Sequence, residues 1–600
     1  MSSPKLRRRS LLALAGAGLT SGCVRQSVSA ASRDEQRALS VRIKTVPADT
    51  DAVATKLARY LVTQLQQVGV GATVVPMSRA ELRRSVHLNH DFEMYVYRLP
   101  LQRDPDFLRP LLHSRYAPDR GWQNPFGSDD RSLDKLLERQ RTEQGAARTS
   151  TVREIQTRLV EKQSFTPVAV PDSACASRPD RMALPDGVAP PRASSYLEAR
   201  PIDTDSSATT PTNSTPTSEN RLRMALSDAR ATENLNPLSA SFRADRPIVR
   251  LIYDSLGRPY EGTVRPWMAS SWTWHDGDST ALSIDLREDI EWHDGTLITA
   301  SDVAFTFELL SDTALGSLDE PVPSSRYRGR TSLVDEVTTQ SSHKLTLEFG
   351  DVDEAVAERA LSVPILPEHV WEQYARPTNV ARFDNGNHTE ALARNNLDPV
   401  GSGPLRVTET TPGESLSMEP FESHFLSTGT VGESLAAFDG GFSFDALEFT
   451  VFPSDEATVE LLSDGTVDAS ANSLSSGATT RAMESAELAV ETGRSQWCYH
   501  VGYNHRSPAF DDSGFRRAVA RLVDRSFLVD MLFDGDATEV MSPLETTQYA
   551  PESDQWDDAV SELRFVNERE TDSLDVDRAK STFKDAGYSY SADGELLIRE

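Results

Sequence analysis

Residues 286–310 read LREDIEWHDGTLITASDVAFTFELL, a tight turn followed by a helix. Asp294-Gly295 suits the turn, because glycine reaches positive φ without a Cβ clash. Ser301 stands where a hydroxyl can cap a helix over 301–310. Toward the N-terminus, 272–287 reads as a hairpin-like pair around His275-Asp276-Gly277-Asp278, and Leu222–Leu226 (LRMAL) reads as a short strand. Toward the C-terminus, Phe515–Phe533 and Asp577–Ala586 read as helices, the second stopped by Gly587. Glu595–Arg599 (ELLIR) reads as a closing strand whose edge another segment must cover.

The N-terminal part carries its own alternation of elements. Ser40–Val46 (SVRIKTV) alternates as a strand does, Val53, Leu57, Leu61 and Leu65 give Ala52–Val68 helical spacing, and Gly69–Val75 is a second strand. Phe92–Tyr97 (FEMYVY) is a further strand, and Leu133–Arg141 and Thr151–Glu161 are polar-faced helices. Residues 204–219 (TDSSATTPTNSTPTSE) are poor in apolar side chains and rich in Ser, Thr and Pro, the composition of a linker. Residues 24–38 are small and polar, as in a flexible tether.

Composition narrows the function. The 600 residues hold 62 basic and 91 acidic side chains, a net charge of −29, and only eight of the basic residues are Lys. A field of that sign repels phosphate, which argues against a nucleic-acid partner. An acidic, Lys-poor surface stays hydrated where salt screens its self-repulsion, so it points to salt adaptation, with an ordinary solvated surface as the alternative.

Lys5 and Arg7–Arg9 precede the apolar run Leu11–Leu19, too short to span a bilayer and therefore read as part of a signal peptide over 1–23. Arg8-Arg9-Ser10-Leu11-Leu12 resembles a twin-arginine export signal. Thr20-Ser21-Gly22-Cys23 resembles a lipoprotein cleavage box with Cys23 as the lipid attachment, although Thr20 stands where such boxes usually carry Leu. The expected location is the outer face of the cell membrane. Cys175 and Cys498 are either one disulfide or two independent buried thiols. Three scattered cysteines give no metal-ligand spacing, and no cofactor or metal is expected.

From residue 221 onward, the order of motifs resembles the oligopeptide/dipeptide-binding family (family 5) of extracytoplasmic solute-binding proteins of ABC transporters, in particular those of halophilic archaea. The pieces are Asn234-Leu235-Asn236-Pro237, Ile252–Leu256, Ala269–Trp272 leading into 286–310, and Asp398–Leu405 (DPVGSGPL). They continue with Leu461–Asp468 (LLSDGTVD), Asn504 with 510–525 (FDDSGFRRAVARLVDR), and 575–588 (DVDRAKSTFKDAGY). The family continues beyond such an ending, and 39–170 resembles the missing part through YLVTQLQQVGV (60–70), DFEMYVY (91–97), RDPDFLRPLLHSR (103–115), NPFG (124–127) and later helices.

The resemblance therefore implies an α/β, two-lobed periplasmic-binding-protein-like fold (type II), circularly permuted, with mixed sheets flanked by helices in each lobe. Its expected parts are 39–164 as the C-terminal half of lobe II, 165–200 as the return to lobe I, 201–220 as linker, 221–496 as lobe I and 497–600 as the N-terminal half of lobe II. The alternatives are halves that do not dock in one molecule, or a swapped dimer. The linker at 204–219 reaches about 50 Å at ~3.3 Å per residue, enough to span one lobe.

The implied function is a receptor, expected to be a monomer, that captures a peptide or other small polar solute and passes it to an ABC permease in the membrane. A membrane-tethered sensor of the same fold is the alternative. The crossing strands are expected near Gln496–Asn504 and Phe165–Val170, which sets Trp497 and Tyr499 at the cleft either as stacking surfaces or as hinge packing. Phe242 and Arg243 correspond to a ligand-facing loop of lobe I, and Tyr97 and Arg98 to the facing strand end of lobe II.

Peptide-binding members anchor the ligand amine on an aspartate whose position here is Leu101. Asp104 is nearby but is equally suited to cap the following helix. Arg98 would suit an anionic ligand group or a salt bridge within its lobe. His275-Asp276-Gly277 and His293-Asp294-Gly295 are turn signals, and with no nucleophile elbow, paired metal histidines or phosphate-cradling loop, no enzymatic activity is expected.

Overall fold

A computed structural model describes residues 38–598 apart from 120, 122, 184, 186–191, 203–219, 240–246, 261–262, 276–279, 379–387, 429–430, 432–434, 436–437, 439–440, 553 and 564–573. The signal segment, the tether up to residue 37, the linker at 204–219 and the turn Asp276–Asp278 lie outside the described residues.

Ser40–Thr45 and Gly71–Pro76 pair in parallel around helix Ala52–Gln67, a right-sized crossover in which Asp51 caps the helix by accepting from the Ala54 amide. Met94–Pro100 joins the other side of Ser40–Thr45, also parallel. Trp497–Tyr503 then pairs antiparallel with Met94–Pro100, although more than 390 residues separate them in sequence. One apolar core is drawn from both ends of the chain: Ile43, Leu57, Leu61 and Val96 pack with Val501, Phe515, Phe583 and Leu596.

Leu596 joins the two ends. The Leu39 amide donates to the Leu596 carbonyl at 2.7 Å, and the Leu596 amide donates to the Gly69 carbonyl at 2.7 Å. Over the described residues 595–598 there is no regular strand, because the pairing is confined to isolated bridges, Ala38 to Leu597 and Tyr590 to Leu596. The edge is thereby covered by the start of the chain.

Phe165–Ser177 is a 13-residue strand that belongs to two halves of a 12-stranded sheet. Its first residues pair with Trp497–Tyr503, and Asp172–Ser177 pair with Ala489–Arg494. Beyond it the sheet runs through Ala469–Ser470, Arg221–Leu226, Ala446–Val451, Ser415–Pro420 and Leu405–Thr411. The chain crosses between the halves twice, within Phe165–Ser177 and at Ser495-Gln496, so the fold is an α/β architecture of two lobes.

Lobe I is built on more than one core. Leu222, Met224 and Phe449 belong to the core on the large sheet, while Leu282, Ile284, Trp292 and Leu347 form another under a four-stranded antiparallel sheet. That smaller sheet contains the paired strands Ala269–His275 and Ala281–Leu286.

The opening motif is scaffold. Gly295 sits at φ +85°, and the following helix is Ala300–Ser311. Its cap is Thr299, not Ser301, because Asp302 returns a carboxylate to the Thr299 amide at 2.9 Å in a capping box. His293 ties this turn to the DPVGSGPL motif: its Nδ1 accepts from the Gly401 amide at 3.3 Å and its Nε2 donates to the Gly403 carbonyl at 2.9 Å. Burial pushes His293 down to about 4, which keeps the ring in the neutral form that this pairing needs.

The motif's glycines are required by contact. A Cβ on Gly401 would lie 1.9 Å from the Ile252 carbonyl oxygen, so Gly401→Ala should lower stability by about 1–3 kcal/mol or more, read as a lower denaturant midpoint. An unchanged midpoint would show that the backbone yields there.

Phe515–Phe533 is two helices, Ser513–Ala520 and Arg525–Phe533, since Asp524 caps the second by accepting from the Phe527 amide. Cys175 and Cys498 are separate free thiols, each buried and pushed up to about 12 by that burial.

Candidate functional site

The two crossings form the floor of a cleft of about 1400 Å³, lined from both lobes. Pro171–Ala174, Ser495 and Gln496 belong to the floor. Asp51, Arg79, Tyr97, Arg98 and Trp497 line it from one lobe, and Asp228, Arg230, Asp455 and Asn472 from the other.

Helix capping and sheet pairing place the central group. Asp51 ends the loop after Ser40–Thr45, and its side chain is 1 % exposed. Its Oδ1 accepts from the Tyr499 hydroxyl at 2.8 Å as well as from the Ala54 amide, and its Oδ2 accepts from Arg98 Nε at 2.6 Å. The Arg98 guanidinium stacks over the Trp497 ring at 4.2 Å, and Trp497 meets Tyr499 edge-on at 5.0 Å. Trp497 lies opposite Pro100, and Tyr499 opposite Arg98, in the antiparallel register, which is why these side chains meet.

Burial pulls the Arg98 guanidinium down, but Tyr499, Asp51 and Tyr97 together hold it above its ordinary value. Tyr499 is 2 % exposed and burial pushes its hydroxyl well up, so it serves chiefly as packing and as a donor to Asp51. Trp497 is half-buried and keeps part of its face to the cleft. Tyr97 is also half-buried at the cleft, with its hydroxyl pushed up by burial.

His87 and His500 stand behind this wall. Burial pushes both down to about 3, and Arg83 adds to the effect on His87. Both line the cleft as neutral imidazoles.

Of the residues singled out from sequence, Tyr97, Arg98, Trp497 and Tyr499 come together at one wall. Phe242 and Arg243 lie outside the described residues. Asp104 is not among the cleft-lining residues: it caps Pro105–Phe107 through the Asp106 amide at 2.8 Å and pairs with Arg148 at 2.9 Å. Leu101 packs against the core of lobe II.

Sequence reasoning did not single out Asp51, Arg79, Asp228 or Arg230. Asp51 carries only the signal of a helix cap, and its contact with Tyr499 spans 448 positions. Among the described residues no group of three or more His, Cys, Asp or Glu side chains is placed to hold a metal ion, and no helix is long and apolar enough to cross a membrane.

Away from the cleft the lobes also touch through ion pairs. Asp106, fully buried, meets Arg359 of the other lobe and Arg141 of its own at 3.0 Å. Gln123 Nε2 donates to the Ser325 carbonyl at 2.6 Å, and Arg328 approaches Asp119 at 3.4 Å. A smaller cavity of about 170 Å³ lies beside these contacts.

The chain is similar to the oligopeptide-binding protein AppA of Bacillus subtilis, 24 % identical over 312 residues that make up 51 % of each chain. Among solved structures it is similar to AppA of B. subtilis in complex with a nonapeptide, at 18 % identity and a TM-score of 0.41 over 62 % of this chain and 65 % of that one. NikZ of Campylobacter jejuni in complex with Ni(L-His) matches at 18 % identity and a TM-score of 0.43, covering 63 % and 65 %. The chain spans about half the length, or less, of the curated relatives it matches. The model of the bacterial extracellular solute-binding proteins, family 5 (middle), matches residues 263–599, more than half of the sequence, and the chain belongs to that family.

Proposed function

We propose that the protein is an extracytoplasmic receptor that captures a peptide-like or other small polar solute between its lobes and delivers it to an ABC importer in the membrane. The observation that carries this reading is the cleft of about 1400 Å³, floored by both crossings and walled by both lobes. A solute held there would bridge the lobes and favour their closure, without any covalent step. Trp497, Tyr97 and Arg98 are its proposed contacts on one wall, with Phe242 and Arg243 on the other. Tyr499 supports that wall through Asp51, and Asp104 is assigned to the scaffold. No catalytic role is assigned.

The lobes are read as a circular permutation in which one chain, as a monomer, completes both. Residues 39–164 and 497–600 then make one lobe, 221–496 the other, 165–200 the return between them and 201–220 the join of the ancestral termini. Support comes from the shared core of Leu57, Val96, Val501 and Phe583, and from Leu596 bonded to both Leu39 and Gly69. Export through the twin-arginine signal, anchoring through Cys23 and salt adaptation of a halophilic archaeal type complete the reading.

Ligand-depletion mass spectrometry on the purified chain in molar salt tests the receptor role. One solute class should be removed at about one molecule per chain; removal of none would sink it. With −29 charges to screen, the melting temperature should rise between dilute buffer and molar salt, and a flat or falling value would contradict salt adaptation. Cys23→Ser should release the protein from the membrane fraction, whereas equal retention would contradict the lipid anchor.

A further inference from the structure

The half-buried Tyr97 ring gathers charged groups from both lobes. Arg98 follows it on the same strand, Arg79 comes from the capped helix Arg79–Arg83, and Arg230 comes from Arg230–Glu233 across the cleft. Asp51 and Asp228 are the carboxylates beside them.

Those carboxylates are already committed. Asp51 holds Arg98 through Nε, and the guanidinium also lies against the Tyr499 hydroxyl, so no carboxylate takes up its Nη groups among the described residues. Asp228 is gripped by Arg230, whose Nε donates to Oδ1 at 2.7 Å and whose Nη2 reaches Oδ2. Arg79 is left with Nη1 at 3.7 Å from Asp228, too long for a hydrogen bond, and its buried Nε has no partner among the described residues. The Tyr97 hydroxyl likewise makes no hydrogen bond among them.

Three donors therefore border the same part of the cleft without acceptors of their own, and two of them belong to guanidinium groups. A buried guanidinium nitrogen without an acceptor costs free energy that a bound oxyanion would recover. Tyr97 feels Arg79, Arg98 and Arg230 as well as Asp51, and Arg79 is pulled down by its burial and by Arg230 and Arg98 nearby. Both arginines and Tyr97 line the same cleft, so one solute lying along that wall can meet them. The cleft's Asp455 and Glu456 stand at the start of helix Asp455–Asp464 on the opposite lobe, so the anion-holding part is the Tyr97 end.

We propose that Arg79, Arg98 and the Tyr97 hydroxyl form a subsite for an oxyanion, carboxylate or phosphoryl, carried by the captured solute. The inference rests on the cleft being the solute site. Asp51 sets the Arg98 fork in place through Nε, and the Asp228–Arg230 pair, by occupying its own charges, leaves Arg79 available.

The test is competitive depletion from a defined mixture of small peptides as free acids and as their amides, together with phosphate monoesters and their parent alcohols. The wild-type chain should take the acid or phosphate members by about tenfold or more over their neutral counterparts, the ratio among the anionic members telling carboxylate from phosphoryl. Arg79→Gln, which removes a side chain whose polar contact among the described residues is the 3.7 Å approach to Asp228, should fold normally and lose that preference. Arg98→Lys should weaken it by keeping the charge without the fork. Equal or better uptake of the neutral members, or full preference in Arg79→Gln, would overturn the subsite while leaving the receptor reading intact. Uptake of no member at all would overturn both.

Discussion

Asp106→Ala should be among the most damaging single substitutions in the chain, lowering stability by about 3–5 kcal/mol. Asp106 is fully buried and carries the Arg359 and Arg141 guanidinium groups as well as the Gln140 amide at 3.0 Å. Removing it leaves two cations, each about nine-tenths buried, without their shared carboxylate. Arg359→Ala removes the contact from the other side and should act differently. It leaves Asp106 paired with Arg141, so its larger effect should be on the approach of the lobes, seen as an increased radius of gyration in small-angle scattering. An unfolding free energy for Asp106→Ala within about 1 kcal/mol of wild type in denaturant titration, or an unchanged radius for Arg359→Ala, would remove this network from the forces that hold the lobes.

Asp51→Ala should cost about 2–4 kcal/mol. Loss of the Ala54 cap contributes about 1 kcal/mol, and the Tyr499 hydroxyl, buried without its acceptor, about 1–3 kcal/mol. Arg98 adds little, because its side chain is 38 % exposed and regains water from the cleft. Asp51→Asn keeps an acceptor for the amide and the hydroxyl and should recover most of the loss, while still releasing Arg98 from its ion pair. Equal damage by Ala and Asn would show that charge, not capping and hydroxyl pairing, dominates at Asp51.

Much of the strand and helix pattern was legible because local periodicity dictates it. Ser40–Thr45, Ala52–Gln67 and Arg221–Leu226 fall within a few residues of their expected bounds. Errors arose where a side chain reached back on the chain. Asp302 moved the cap to Thr299, and Asp524 broke an apolar run into two helices. Leu596–Leu597 had the composition of a strand but only two neighbours to bridge.

The site was half legible for the same reason. Tyr97, Arg98, Trp497 and Tyr499, singled out by position along a motif, gather at one wall of the cleft. Arg79, Asp228 and Arg230 meet only once the lobes do, and nothing local in the segments SRAE (78–81) and SDAR (227–230) marks them.

The central claim is that one chain, joined end to end through Leu39 and Leu596, supplies both walls of one cleft. A cysteine pair tests it most directly: Ala38→Cys with Leu597→Cys, bridge partners across the two chain ends, in a Cys23→Ser background. Oxidation of the folded protein should give an internal disulfide at monomer mass, with denaturing-gel mobility altered and restored by reductant. Disulfide-linked dimers, or thiols that stay apart under the same oxidation, would contradict it.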